Sequence, residues 1–179
     1  MNRFVLLSGC SGGGKSTLLA ALGRAGHAVV EEPGRRIVAE ERAGAGRALP
    51  WVDLAAFARR AFDLALADRR RAARLPGRVF FDRGLVDAAA AFEAATGDPS
   101  LLEALKDDHR YHPLVFLTPP WPGIFRTDGG RRHGFDAAVA EYQRLAAVFP
   151  ALGYETVVLA RTTVAGRVRL VLDALAARP

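Results

Sequence analysis

Short apolar runs, several rich in β-branched residues, recur at 4–7, 28–31, 79–82, 114–118 and 156–159. Between them the apolar positions shift to helical spacing, which predicts helices over 15–24, 35–43, 52–74, 85–95, 99–108, 135–149 and 164–177. Continuous apolar runs, as opposed to alternating ones, belong to strands covered on both faces. Their alternation with helices gives βαβ units with right-handed crossovers. The expected fold is a three-layer α/β/α sandwich around a five-stranded parallel sheet, in one domain spanning 1–179. Ligands of such sheets bind beyond the carboxyl ends of the strands, so the residues that follow each run are the places to look for chemistry.

The first of these places is the most telling. Gly9-Cys10-Ser11-Gly12-Gly13-Gly14-Lys15-Ser16 completes the pattern G-x-x-x-x-G-K-[ST] between a strand-like run and a helix-like one. That context makes it a phosphate-binding loop (P-loop) and the sandwich a P-loop NTPase fold. Gly9, Ser11, Gly12, Gly13 and Gly14 let backbone N–H groups converge on phosphate oxygens, with Thr17 in the first helical turn and the helix N-terminus adding partial positive charge. Lys15 is placed to reach the β- and γ-phosphates, and the Ser16 hydroxyl to ligate Mg²⁺. The only other lysine is Lys106.

The other strand ends carry charges suited to the same ligand. Glu31-Glu32-Pro33-Gly34 follows the second run. Successive side chains of an extended segment point oppositely, and Glu32, nearer the turn, is the candidate general base or water-mediated Mg²⁺ holder; the alternative is a pair of solvent-facing turn charges. Asp82, at the end of Val79-Phe80-Phe81-Asp82, fits a Walker B carboxylate acting on Mg²⁺, and Arg83 beside it is a fixed cation for phosphates. Asp87 opens the next helix and is read equally as a substrate contact or as an N-terminal helix charge. Arg126, Arg131 and Arg132 lie on the glycine-flanked segment 119–134, the expected lid, where arginines can meet the transferring phosphoryl group; a plain basic loop is the competing reading. After the last run, Thr162 is placed either beside the nucleotide base or, with Thr163, as a helix cap.

Composition removes several classes. The chain has 179 residues, 50% hydrophobic and 25% charged, enough for a sizeable core. No stretch reaches the length of a membrane span. The run 4–7 is too short for the h-region of a signal peptide, and a single cysteine, Cys10, excludes an intrachain disulfide; the expectation is a cytoplasmic protein. Four histidines without ligand spacing give no zinc site. The net charge of +6 invites a nucleic-acid reading. The arginines are spread through an alanine-rich chain, however, and this weighs against a nucleic-acid partner.

The turn Glu32-Pro33-Gly34 and the pair Asp82-Arg83 resemble those of thymidylate and deoxynucleoside kinases. More closely, V-F-F-D-R-G-L-V-D at 79–87, V-F-L-T-P-P-W at 115–121, R-T-D-G-G-R-R at 126–132 and L-G-Y-E at 152–155 resemble the NadR-type AAA family, named for a ribosylnicotinamide kinase domain, over residues 4 to about 175. The resemblance implies ATP or GTP with Mg²⁺ and a kinase transferring a γ-phosphoryl group to the hydroxyl of a small-molecule acceptor. Some members of that family are nucleotide-dependent regulators, so a switch or slow NTPase is the alternative. A substrate-binding arginine on the helix before the third strand would map to Arg60 or Arg69, and spacing leaves both open. Glu32, Arg83 and Asp87 complete the implied substrate site.

Overall fold

The computed structural model describes residues 2–127 and 134–178. Its elements are β1 (Phe4–Gly9), α1 (Lys15–Arg24), β2 (Ala28–Val30), α2 (Pro33–Ala43), α3 (Leu54–Ala72), β3 (Val79–Asp82), α4 (Leu85–Thr96), α5 (Ser100–Glu103), β4 (Leu114–Thr118), a 3₁₀ turn (Pro122–Ile124), α6 (Phe135–Ala151), β5 (Glu155–Val158) and α7 (Val164–Ala176). The strands form one sheet in the order β2-β3-β1-β4-β5, and every pairing is parallel. The expected α/β/α sandwich is therefore the observed one.

Alternation along the strands divides the core. Val5 and Leu7 of β1, Phe80 of β3 and Phe116 of β4 pack with Leu18, Leu22, Val171 and Leu175 of α1 and α7. Phe4, Leu6, Phe81, Val115 and Leu117 face the other way, toward Ile37 of α2, Phe62 of α3, Ala89 of α4 and Phe149 of α6. Because both faces are covered, the central strands read as unbroken apolar runs.

Among the helix boundaries that differ from the expectation, those of three helices have a clear local cause. α2 begins at Pro33 and not at 35, because proline's fixed φ suits the first helical position. α3 begins at Leu54, capped by Asp53, whose side chain accepts from the Ala56 N–H at 2.9 Å. The helix expected over 99–108 is only α5: Leu105 and Lys106 donate to carbonyls three residues back, and His109 takes φ +54°. β5 spans 155–158, one residue earlier than the run suggested.

Centrally placed β1 runs out between β3 and β4. At Gly9 (φ +103°) a Cβ would lie 2.5 Å from the Thr118 carbonyl oxygen at the end of β4, so a side chain there is excluded by both conformation and space. Cys10 N–H donates to that same oxygen at 2.9 Å, pinning the start of the loop to β4.

Candidate functional site

The loop from Gly9 into α1 is held by its own carbonyls. The Gly13 N–H donates to Cys10 O at 3.0 Å, and Gly14, at φ +88°, turns the chain into the helix. A Cβ on Gly13 would sit 2.6 Å from Thr118 Oγ1, so the loop also rests on β4 through glycine. The Lys15 ammonium is buried and donates to Cys10 O at 2.8 Å and Gly9 O at 3.4 Å. Burial, reinforced by the nearby Arg83, pulls its pKa below that of an ordinary lysine. Ser11, Gly12, Gly14, Lys15, Ser16 and Thr17 line one cavity of about 410 Å³.

Beside the loop, Ser16 Oγ donates to Asp82 Oδ2 at 2.8 Å. Asp82 is 1% exposed, and its Oδ1 is buried without a hydrogen-bond partner. Burial pushes the Asp82 carboxyl up to about 6, and Glu32 adds to the rise, while Lys15 and the Ser16 bond oppose it. An orphaned carboxylate oxygen next to a helix-start hydroxyl, among triphosphate-binding amides, is the donor set that Mg²⁺ bound to a nucleotide uses. No group of three or more His, Cys, Asp or Glu placed to hold a metal ion exists among the described residues, so this is no self-contained metal cage. The residues fit a cation delivered with phosphates.

Arg83 follows at φ +63°, which swings its side chain out of the strand line and into a ring of carboxylates. Its Nε lies 3.3 Å from Glu32, Nη1 3.1 Å from Asp87 and Nη2 2.9 Å from Glu141. Burial opposes the charge on Arg83, but Glu141, Glu32 and Asp87 override it and hold the pKa above its usual value. Asp87 accepts from Ser8 Oγ at 2.5 Å and from the Gly84 N–H at 3.0 Å, so its carboxylate serves the helix start and Arg83 together; burial pushes its carboxyl up. Glu32, the N-cap residue of α2, borders the phosphate-loop cavity; Glu31 does not.

The far end of the cavity is formed by Trp121, Ile124, Thr162, Thr163 and Arg167. Thr163 caps α7, accepting from Gly166 N–H at 3.1 Å, which leaves Thr162 on the rim. Arg126 is exposed and donates to Phe125 O at 2.8 Å. Arg131 and Arg132 lie outside the described residues. Arg60 and Arg69 are not brought to the site. Arg60 pairs with Glu40 and Glu41 of α2. Arg69 lies at the opposite end of the sheet, over the rings of Phe4 and Tyr111, and donates to Arg110 O at 2.6 Å.

Two site residues escaped the sequence reading. Glu141 is one of two acids in α6, and Arg167 is one of two arginines in α7; both look like solvent-face charges. Arg167 is 3% exposed and ties three loops together. It donates from Nε to Ala160 O at 2.9 Å and from Nη1 to Gly13 O at 2.6 Å, and its guanidinium lies 4.9 Å from the Trp121 ring centroid.

Known proteins share this fold. A family model described as an AAA domain matches residues 4–167. Among solved structures, NadR in complex with NR superposes with TM-score 0.73 at 19% identity, over 97% of this chain and 50% of that one. Deoxyadenosine kinase from M. mycoides with bound dATP gives TM-score 0.64 at 15% identity, covering 97% and 98%. Shikimate kinase from Acinetobacter baumannii in complex with shikimate gives 0.63 at 13%, covering 99% and 94%. No curated protein matches by sequence. At these identities the structures establish a shared fold, and no helix among the described residues is long and apolar enough to cross a membrane. With its phosphate loop, strand-end carboxylate and parallel sheet, matched across residues 4–167, the chain belongs to this AAA domain family.

Proposed function

We propose that the protein is a small-molecule kinase that transfers the γ-phosphoryl group of Mg-ATP or Mg-GTP to an acceptor hydroxyl. The observation that carries this reading is a shared wall. Glu32 and Arg83, 3.3 Å apart, border the phosphate-loop cavity on one side and a second cavity toward α3 and α4 on the other. That second cavity, of about 80 Å³, and a continuation of about 170 Å³ reach Phe57 and Ala91. A nucleotide-driven switch has no need of this second chamber; a transferase does. The NadR, deoxyadenosine kinase and shikimate kinase folds support the same reading.

In this reaction the loop amides and Lys15 hold the β- and γ-phosphates, and Arg83 meets the γ-phosphoryl oxygens. The acceptor oxygen attacks Pγ and gives its proton to Glu32. The bond from Pγ to the β–γ bridging oxygen breaks, and that oxygen leaves with the nucleoside diphosphate. Ser16 and Asp82 would hold Mg²⁺, which neutralises charge on the phosphates. Thr162 and Trp121 flank the base; residues 128–133 of the expected lid at 119–134 lie outside the described residues.

The test is transfer of label from γ-labelled ATP or GTP to a panel of metabolites, with Glu32→Gln alongside. Labelled product from the parent, lost in Glu32→Gln with triphosphate affinity unchanged, is the expected result. Triphosphate hydrolysis to free phosphate with every acceptor would overturn the assignment.

A further inference from the structure

We infer that Glu141 holds the γ-phosphoryl position while no triphosphate is bound, and that an incoming triphosphate displaces its carboxylate. Glu141 thereby sets how strongly the protein distinguishes triphosphate from diphosphate. This rests on the kinase reading, which gives Arg83 and the loop amides to the γ-phosphoryl group.

Two donors of the nucleotide side meet one carboxylate. Glu141 Oε2 accepts from the Ser11 N–H at 3.3 Å and from Arg83 Nη2 at 2.9 Å. A backbone N–H of a phosphate loop and a fixed guanidinium are both donors suited to an anion. Ser11 and Arg83 line the cavity of about 410 Å³ that takes the phosphates, whereas Glu141 lines the two smaller cavities beyond it. Its carboxylate thus reaches in from the acceptor side and ends on groups of the nucleotide side. In-line transfer places the γ-phosphorus between the bridging oxygen and the acceptor oxygen. The carboxylate stands at that junction.

Charge makes the two anions alternate. A carboxylate and a γ-phosphoryl group on the same N–H and the same guanidinium repel each other. When the carboxylate leaves, Arg83 keeps Glu32 at 3.3 Å and Asp87 at 3.1 Å and gains phosphoryl oxygens. The guanidinium is therefore never left buried and short of counter-charge, the condition that makes breaking such pairs costly.

Of the three carboxylates around Arg83, Glu141 is the one placed to move. The Asp87 side chain is 5% exposed and also accepts from Ser8 Oγ and the Gly84 N–H. Glu32 is the N-cap residue of α2, directly before Pro33. Glu141 is 30% exposed and borders the cavity of about 170 Å³, into which its side chain can turn and keep its charge hydrated.

A diphosphate carries no group that displaces it. Its phosphates lie against Lys15 and the inner loop amides, and Glu141 stays on Ser11 and Arg83. Detaching the carboxylate is thus a cost borne by the triphosphate alone.

The experiment is calorimetric titration of the full chain, without acceptor, with the Mg²⁺ complexes of ADP and of the β,γ-imido analogue of ATP. Glu141→Gln keeps the size of the side chain and removes its charge, and Glu141→Ala removes the side chain. Each should tighten the triphosphate analogue about ten-fold, in keeping with one charge-assisted hydrogen bond no longer broken, and leave ADP within about two-fold of the parent. Asp136→Asn removes the other acid of α6, exposed in its first turn, and should leave the ratio of the two affinities as it was. Equal tightening of both ligands would mean that Glu141 acts through net charge alone. Unchanged or weaker binding of the triphosphate analogue would mean that it serves only to position Arg83. Either result overturns the inference. The titrations need no acceptor, so they decide the matter even where the parent yields no phosphorylated product, a result that would overturn the kinase reading instead.

Discussion

Ser16 Oγ donates to one oxygen of Asp82, at 2.8 Å, and the other oxygen of Asp82 is buried with nothing to accept. A protein does not keep such an atom for stability. The folded-state pKa of Asp82, about 6, lies above its ordinary 3.8, so the fold holds the proton more tightly than the unfolded chain does. The contribution of this group is then present at low pH and lost as pH rises through about 4 to 6. Asp82→Asn retains an acceptor for Ser16 and removes the buried charge. The variant should be more stable than the parent at pH 7.5, on the order of 1–3 kcal/mol, and equal to it near pH 4. Its affinity for Mg-triphosphate should fall at least ten-fold. Urea unfolding at the two pH values and calorimetric titration check both halves; a less stable variant at pH 7.5 would refute the account.

Lys15 makes a similar exchange of stability for binding. Its ammonium is buried, and its partners are two carbonyls of the loop it belongs to. Lys15→Ala should lower triphosphate affinity by about two orders of magnitude, in keeping with the loss of a charge-assisted contact to two phosphates, without lowering Tm. Binding of a fluorescent triphosphate analogue and a melting curve suffice. Unchanged affinity would remove the phosphate loop from the argument altogether.

Legibility in the sequence followed the range of the interactions involved. The strands and the phosphate loop are written locally: apolar runs of four or five residues, a fixed glycine spacing, and Asp82-Arg83 at a run's end. Asp53 and Pro33 are also local signals, and they would have corrected two helix starts. Glu141 and Arg167 are different. Each sits within an amphipathic helix, and what makes it part of the site is the approach of α6 to Arg83 and of α7 to Gly13, across 58 and 154 residues of chain. A charge buried by such an approach looks, in sequence, like any surface charge. Arg69 shows the converse: an arginine with a site-like position on the long helix is spent on Phe4 and Tyr111 at the far end of the sheet.

Gly34 offers a test of the second cavity, proposed for the acceptor, that leaves the nucleotide side alone. The Cβ of Gly34→Ala would be 3.0 Å from Phe57 Cζ, so the ring, which lines the second cavity, must shift. The expected outcome is a rise in acceptor KM of about ten-fold, consistent with a lost contact of ~1.4 kcal/mol, with triphosphate affinity unchanged. Phe57→Leu in the same chain should recover part of it. Steady-state kinetics against acceptor at saturating triphosphate will show the split; an equal loss in triphosphate binding would mean that the second cavity and the phosphate loop are not separate.

Trp121 tests the base end. Its ring rests 4.9 Å from the Arg167 guanidinium, which is anchored in turn on Ala160 O and Gly13 O. The ring is thus braced by a cation that is itself braced by the phosphate loop, a rigid surface for a purine. Stacking of a base on an aromatic side chain is worth about 1–3 kcal/mol. Trp121→Ala should therefore weaken ATP or GTP about ten-fold and leave inorganic tripolyphosphate binding as it was, whereas Trp121→Phe should stay within a few-fold of the parent. Calorimetric titration with both ligands separates the two contributions. If nucleotide and tripolyphosphate weaken together, Trp121 acts by holding Arg167 against the loop and not by meeting the base.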